Sequence, residues 1–114
     1  MARRDFEVTV AGGGPAGLVA ALAMRSVLPK SAKIVDLDGS TPGGPKSIRT
    51  YAISPGSRNL LERLQVWRRL RRAQAIKSMD ITDSRLEDYI RQTYLQFRSD
   101  AKAEALGWIV EHDD

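Results

Sequence analysis

The chain of 114 residues contains no cysteine and a single histidine. The lack of cysteine excludes a disulfide framework, a thiolate nucleophile and a cysteine metal site, and His112 alone cannot make a metal site. No run of about 18 apolar residues predicts a transmembrane helix. The apolar stretch from Val8 to Ala23 is broken by four glycines and a proline, so it does not predict a secretory signal. We expect a globular, cytoplasmic chain.

Aromatic residues are few, whereas basic residues are concentrated in one segment. Residues 58–72 carry six basic and one acidic side chain, although the whole chain has a net charge of only +4. The aromatic side chains do not alternate with these arginines as a base-stacking surface requires, so we expect no nucleic-acid partner. Two interpretations stay open: a solvated helix C-terminus, or contact with anionic lipid or an acidic partner protein. The arginines available for that contact are Arg63, Arg68, Arg69 and Arg72.

The first 37 residues predict a strand, a helix and a second strand. Phe6 to Val10 consists mainly of strand-forming residues. Pro15 fits the first turn of a helix that ends before Pro29. The stretch from Lys33 to Leu37 then predicts another strand. This order is that of the first βαβ unit of a parallel sheet.

The remaining residues predict further strands and helices around that unit. Residues 39–45 are a loop by composition, and residues 48–53 are extended. Ser54 or Ser57 caps a second helix, whose apolar residues recur at helical spacing as far as Leu70. Residues 84–88 form a polar turn. Three more strands are predicted at residues 75–81, 89–97 and 104–110.

The segment between the first strand and the first helix has the spacing G-x-G-x-x-G. Gly12 permits a tight turn, Gly14 allows a pyrophosphate to approach the backbone, and Gly17 lets the helix pack against the strand. Asp36 follows at the distance of a carboxylate that binds ribose hydroxyls, and Asp38 takes that role if the strand ends later. The alternatives are a glycine-rich packing turn or a site for another phosphate-bearing nucleotide. The predicted cofactor-binding residues in this part of the chain are Gly12, Gly13, Gly14, Pro15, Ala16, Gly17 and Asp36.

Residues 48–57, I-R-T-Y-A-I-S-P-G-S, are followed by Leu-Leu at 60–61 and Val-Trp at 66–67. This pattern resembles the FAD-dependent aromatic-ring hydroxylases, and among them the ubiquinone-biosynthesis branch. The resemblance implies FAD as cofactor and places Arg49 beside the flavin or its pyrophosphate. Gln65 departs from the family, which has glycine before Val-Trp. For Trp67 we expect a packing role.

The resemblance also implies a fold and a reaction. The fold is α/β, with a Rossmann-like FAD-binding βαβ unit and additional strands and helices. The reaction is a monooxygenation in which NAD(P)H reduces the flavin, O₂ adds to it, and a phenolic or prenylated-phenol ring is hydroxylated. Such an enzyme would be cytoplasmic or peripheral at the inner membrane. No catalytic residue is nominated from these 114 residues, and we expect no metal.

The resemblance extends over nearly the whole chain, including residues 79–84 and 106–111, but matches only the front part of the family. We therefore expect residues 1–114 to be an N-terminal fragment of an FAD-binding domain, incomplete and inactive by itself. Two other functions stay open. The chain is alternatively a non-catalytic nucleotide-binding or interaction module, or a fragment of an NAD-binding oxidoreductase.

Overall fold

Three small sheets and two helices make up the mixed α/β architecture of the chain. The computed structural model describes residues 7–39, 46–85, 87–100, 102 and 104–112. In this part β1 pairs in parallel with β2, β7 lies between β3 and β4 in an antiparallel sheet, and β5 pairs with β6 in an antiparallel hairpin. The elements are β1 (Glu7–Ala11), α1 (Pro15–Val27), β2 (Lys33–Leu37), β3 (Thr50–Ile53), α2 (Pro55–Arg63), a 3-10 turn (Trp67–Arg69), β4 (Ala73–Ile76), β5 (Ser78–Thr82), β6 (Thr93–Arg98) and β7 (Gly107–Glu111).

The predicted strand–helix–strand unit is confirmed, with β1 and β2 in parallel register from Glu7 opposite Lys33. Pro15 occupies the first turn of α1, where its missing N–H removes no intrahelical bond. The helix stops at Leu28, which is extended because Pro29 follows. The Arg25 guanidinium donates to the carbonyls of Leu28, Pro29 and Ala32 and so ties the end of α1 to the start of β2.

The cap of α2 is Ser54, the first of the two predicted serines, because its Oγ accepts from the Ser57 N–H at 3.2 Å. The helix is shorter than predicted. Val66 N–H donates to the Leu61 carbonyl and Gln65 N–H to the Glu62 carbonyl, the hydrogen-bond pattern of a Schellman ending. In this ending Gln65 has a φ of 60°. Gln65 therefore has the left-handed conformation that glycine usually adopts at a helix end. Glycine is the residue at this position in the family that the sequence resembles.

The second helix was predicted to continue at helical spacing as far as Leu70. This prediction was wrong, because α2 ends at Arg63. After Gln65 the chain turns into the 3-10 segment, so Trp67 and Leu70 do not continue the stripe of α2. The basic segment is divided in consequence. Arg68 and Arg69 lie on the 3-10 turn and Arg72 precedes β4, instead of gathering at one helix end.

The predicted strand at residues 75–81 is two strands that belong to different sheets. β4 pairs with β7, whereas β5 pairs with β6, and the change occurs at Lys77. The strand predicted at residues 89–97 begins later, at Thr93, and the last strand begins at Gly107. The Arg85 N–H donates to the Asp88 carboxylate at 2.8 Å, which agrees with the polar turn predicted in this part of the chain. The predicted loop lies almost entirely at residues 40–45, outside the described residues.

The core of the described chain is centred on β7. Trp108 and Val110 are buried, as are Ala32 and Ala105. At the start of β7 a Cβ on Gly107 would lie 2.8 Å from the Ile53 carbonyl oxygen, so the close approach of β3 and β7 requires glycine there. No helix in the described ranges is long and apolar enough to cross a membrane.

Candidate functional site

Three glycines of the G-x-G-x-x-G segment, two in the loop between β1 and α1 and one in α1 itself, have different surroundings. Gly12 has a φ of +133°, a conformation that side chains rarely adopt, and its N–H donates to the Leu37 carbonyl at 2.9 Å. A Cβ on Gly17 would lie 1.9 Å from the Gly12 carbonyl oxygen, so this glycine lets α1 pack onto the loop. A Cβ on Gly14 would meet no atom within 4 Å. The backbone at Gly14 is therefore open to a ligand.

The N-terminus of α1 adjoins this open position. Gly14 is the N-cap and provides no side-chain hydrogen bond, while its carbonyl accepts from Leu18 N–H at 3.0 Å. The amides of the first helical turn have no intrahelical acceptor, and the helix dipole places partial positive charge there. Amides of this kind bind phosphate groups. Pro15 contributes no amide, so Ala16 and Gly17 supply the first two.

Two carboxylates follow the loop in β2 and just beyond it. Asp36 lies within β2, opposite Val10 and exposed. Since β2 ends at Leu37, as predicted, Asp38 is the first residue after the strand. A Cβ on Gly13 would lie 2.4 Å from the Asp38 carboxyl carbon. The Asp38 carboxylate therefore lies directly against the glycine loop, at the edge where the two parallel strands end.

Arg49 lies immediately before β3, and the structure does not give it a contact with the glycine loop. Its N–H donates to Ser47 Oγ at 3.2 Å, and its carbonyl accepts from His112 N–H at 2.9 Å. The side chain is exposed. Arg49 is separated by one residue from Tyr51, which lines the same groove as Pro15 at the start of α1.

This groove runs between α1 and the sheet formed by β3, β7 and β4. Its volume is about 400 Å³, within the range of ligand pockets. Its walls are apolar except at one end, where the Tyr51 hydroxyl and His112 Nδ1 share a hydrogen bond of 2.9 Å. From the sequence, His112 had been considered only as a metal ligand, for which a single histidine does not suffice. The lining residues are Pro15, Leu18, Val19, Leu22, Tyr51, Ala52, Ile53, Leu61, Val66, Leu70, Val110, Glu111 and His112.

Arg58 performs a structural role that its place in the basic segment did not indicate. Its guanidinium carbon lies 4.4 Å from the Trp108 ring centroid and 5.1 Å from that of Trp67. The two indoles meet edge to face at 5.5 Å, so the packing role predicted for Trp67 is confirmed. The hydrogen bond to Glu62 raises the pKa of Arg58 above its ordinary value, and the bond to Glu104 acts in the same direction.

The other basic side chains of residues 58–72 are distributed over several elements. Arg63 ends α2, Arg68 donates to the Gln65 side chain at 2.8 Å, and Arg72 lies 3.9 Å from the Glu111 carboxylate. These arginines are exposed, so the contact with lipid or an acidic protein that the sequence left open is sterically possible. They do not lie together on one element.

Comparison with protein-family models and with curated proteins found no match for this chain. The support for a function therefore comes from the geometry of the glycine loop and from the sequence pattern around Arg49. These two features lie on different elements, namely the β1–α1 turn and the segment that enters β3.

Proposed function

We propose that the chain binds the ADP half of FAD in a Rossmann-like site at the β1–α1 loop. The pyrophosphate lies over Gly14 and hydrogen-bonds to the first amides of α1. The Asp38 carboxylate accepts hydrogen bonds from the ribose hydroxyls. The observation that carries this proposal is the open backbone at Gly14, which adjoins an uncapped helix N-terminus and a carboxylate held against Gly13.

The choice of FAD over NAD rests on Arg49 and the pattern that follows it. We propose that Arg49 approaches the pyrophosphate or the flavin ring, as the resemblance to aromatic-ring hydroxylases implies. A planar guanidinium suits either partner, because it donates in a fork to phosphate and stacks against aromatic rings. Asp38 takes the ribose role in this proposal in place of Asp36, since its carboxylate lies against Gly13.

The activity we propose is that of the FAD-binding part of a monooxygenase that hydroxylates a phenolic ring, in ubiquinone biosynthesis. When bound, the flavin supplies the redox chemistry with NAD(P)H and O₂. The described residues bind and orient it, and none is assigned a proton transfer. A prenylated phenol would be dissolved in a membrane, and the exposed arginines at residues 63–72 would allow the chain to contact anionic lipid there.

The proposal is tested by the single variant Gly14→Ala. Its φ of −74° suits any residue and the added Cβ meets no protein atom, so we expect the variant to fold normally. The methyl group would occupy the place of the pyrophosphate and weaken FAD binding at least about tenfold. Flavin fluorescence titration measures the affinity, and Gly56→Ala on α2 is the matched control.

Equal FAD affinity in Gly14→Ala and the parent chain would refute the proposed site. A second function is a nucleotide-binding module without redox chemistry, because the site proposed at the loop and Asp38 would recognise an ADP group and no more. Tighter binding of NAD⁺ than of FAD would favour the NAD-binding oxidoreductase. A folded chain without affinity for either nucleotide would favour an interaction module.

A further inference from the structure

The β5–β6 hairpin has one apolar face whose side chains are about half exposed. Met79 lies opposite Phe97 and Ile81 opposite Leu95. Because opposed residues of an antiparallel pair share a face, these four side chains form a two-by-two apolar patch. Each is between 43% and 50% exposed.

The other face of the hairpin is polar and internally bonded. The Gln96 side-chain amide donates to the Asp80 carboxylate at 2.7 Å across the strands. Along β5 apolar and polar side chains therefore alternate in the way typical of a sheet that covers a core on one side. An isolated two-stranded hairpin is marginally stable in water, so the apolar patch requires a covering surface.

We propose that the apolar patch of the hairpin is covered by the same patch of a second copy of this chain, in a two-fold dimer. The two sheets stack face to face with antiparallel strands, about 10 Å apart. In this arrangement Leu95 of one copy lies over Phe97 of the other, and Ile81 lies over Met79.

Charge favours the hairpin as the place where two cationic chains meet. The chain carries +4 overall and six arginines within residues 58–72, so contacts through that segment would repel. Residues 77–100 carry four basic and five acidic side chains and are close to neutral. At the open end of the hairpin Lys77, Arg98 and Asp100 carry a net charge of +1. At the other end the segment between β5 and β6 contains Asp83, Arg85, Glu87, Asp88 and Arg91 and carries a net charge of −1. An antiparallel stack therefore brings opposite charges together.

Exposed apolar side chains are concentrated in this part of the chain. Seven of the thirteen exposed large hydrophobic residues among the described ones lie between residues 79 and 97. Four of them form the apolar patch, and the other three are Tyr89, Ile90 and Tyr94. This concentration favours the hairpin over other described segments as an interface.

Sedimentation equilibrium over a concentration series tests the proposal with the full chain. We expect a dimer in the parent chain and in Gln96→Lys, which changes the polar face of the same strand. Leu95→Asp and Phe97→Lys each place a charge on the apolar patch, so each should weaken the dimer at least about tenfold. Far-UV circular dichroism confirms that each variant is folded before its mass is measured.

Mixing Leu95→Asp with Phe97→Lys tests the antiparallel arrangement directly. Leu95 of one copy faces Phe97 of the other, so the mixture should form a heterodimer in which the two new charges are paired and the second Leu95–Phe97 contact is native. A monomeric parent chain would overturn the proposal. The proposal would also be overturned by association that continues beyond a dimer, by a folded Leu95→Asp variant that dimerises as tightly as the parent chain, or by a mixture that forms no heterodimer.

Discussion

Gln65 shows how one residue departs from the conformation that its side chain prefers. At a φ of 60° it is the one residue other than glycine with a positive φ in the described chain. The Schellman hydrogen bonds of Val66 and of Gln65 itself hold it there. The sequence marked this position, because glycine stands there in the resembling family, but it could not tell whether the helix ending would survive the substitution. The ending survives, with a strained residue within it.

Gln65→Gly should therefore stabilise the chain. Glycine adopts the left-handed conformation without a Cβ clash, and we expect a gain of about 1 kcal/mol in the free energy of unfolding. Urea denaturation followed by circular dichroism measures the change. Gln74→Gly is the control: Gln74 lies in β4, where glycine weakens a strand. A destabilised Gln65→Gly variant would show that the ending is held by contacts of the glutamine side chain instead.

For individual helices and strands, the sequence predicted a boundary correctly where a neighbouring residue causes that boundary. The Ser54 cap, Pro15 and Pro29 each act on their immediate neighbours, and the helix starts and the end of α1 were predicted from them. The division between β4 and β5 at Lys77 has no such signal. It depends on pairing with β7 and β6, which lie far along the chain. A pattern within a short window does not contain that information.

The β1–α1 packing depends on the absence of a side chain at Gly17. A Cβ there would lie 1.9 Å from the Gly12 carbonyl oxygen, and the nearest obstacle is backbone. We expect Gly17→Ala to lower the free energy of unfolding by roughly 1–3 kcal/mol. The comparison is with Gly14→Ala, which should leave stability unchanged. Equal stability of the two variants in thermal unfolding would show that α1 does not need the close approach.

For the whole molecule, the sequence predicted the mixed α/β class and the position of the glycine loop. It did not predict the groove between α1 and the β3–β7–β4 sheet, because its lining comes from four elements and the residues beside them, which meet only in the folded chain. Nor did it indicate that Arg58 would lie against the rings of two tryptophans. Contacts of this kind join residues that are far apart along the chain, and they produce no repeating pattern in the sequence.

The proposed function makes a prediction about the whole ligand. If the described residues recognise the ADP half of FAD, ADP should displace FAD from the chain, whereas FMN should neither bind nor compete. Competition titrations with flavin fluorescence measure both effects. Binding of FMN as tight as that of FAD would place recognition at the flavin ring and refute the ADP site.

The central position of β7 also fixes an order of events during synthesis. β3 and β4 lie on either side of β7 and do not pair with one another, yet both emerge from the ribosome earlier. Thr50 must wait for Glu111, about sixty residues later, before its partner exists. Until β7 is synthesised, β3 and β4 have no strand to pair with. During this interval the nascent chain is most exposed to chaperones and to wrong partners.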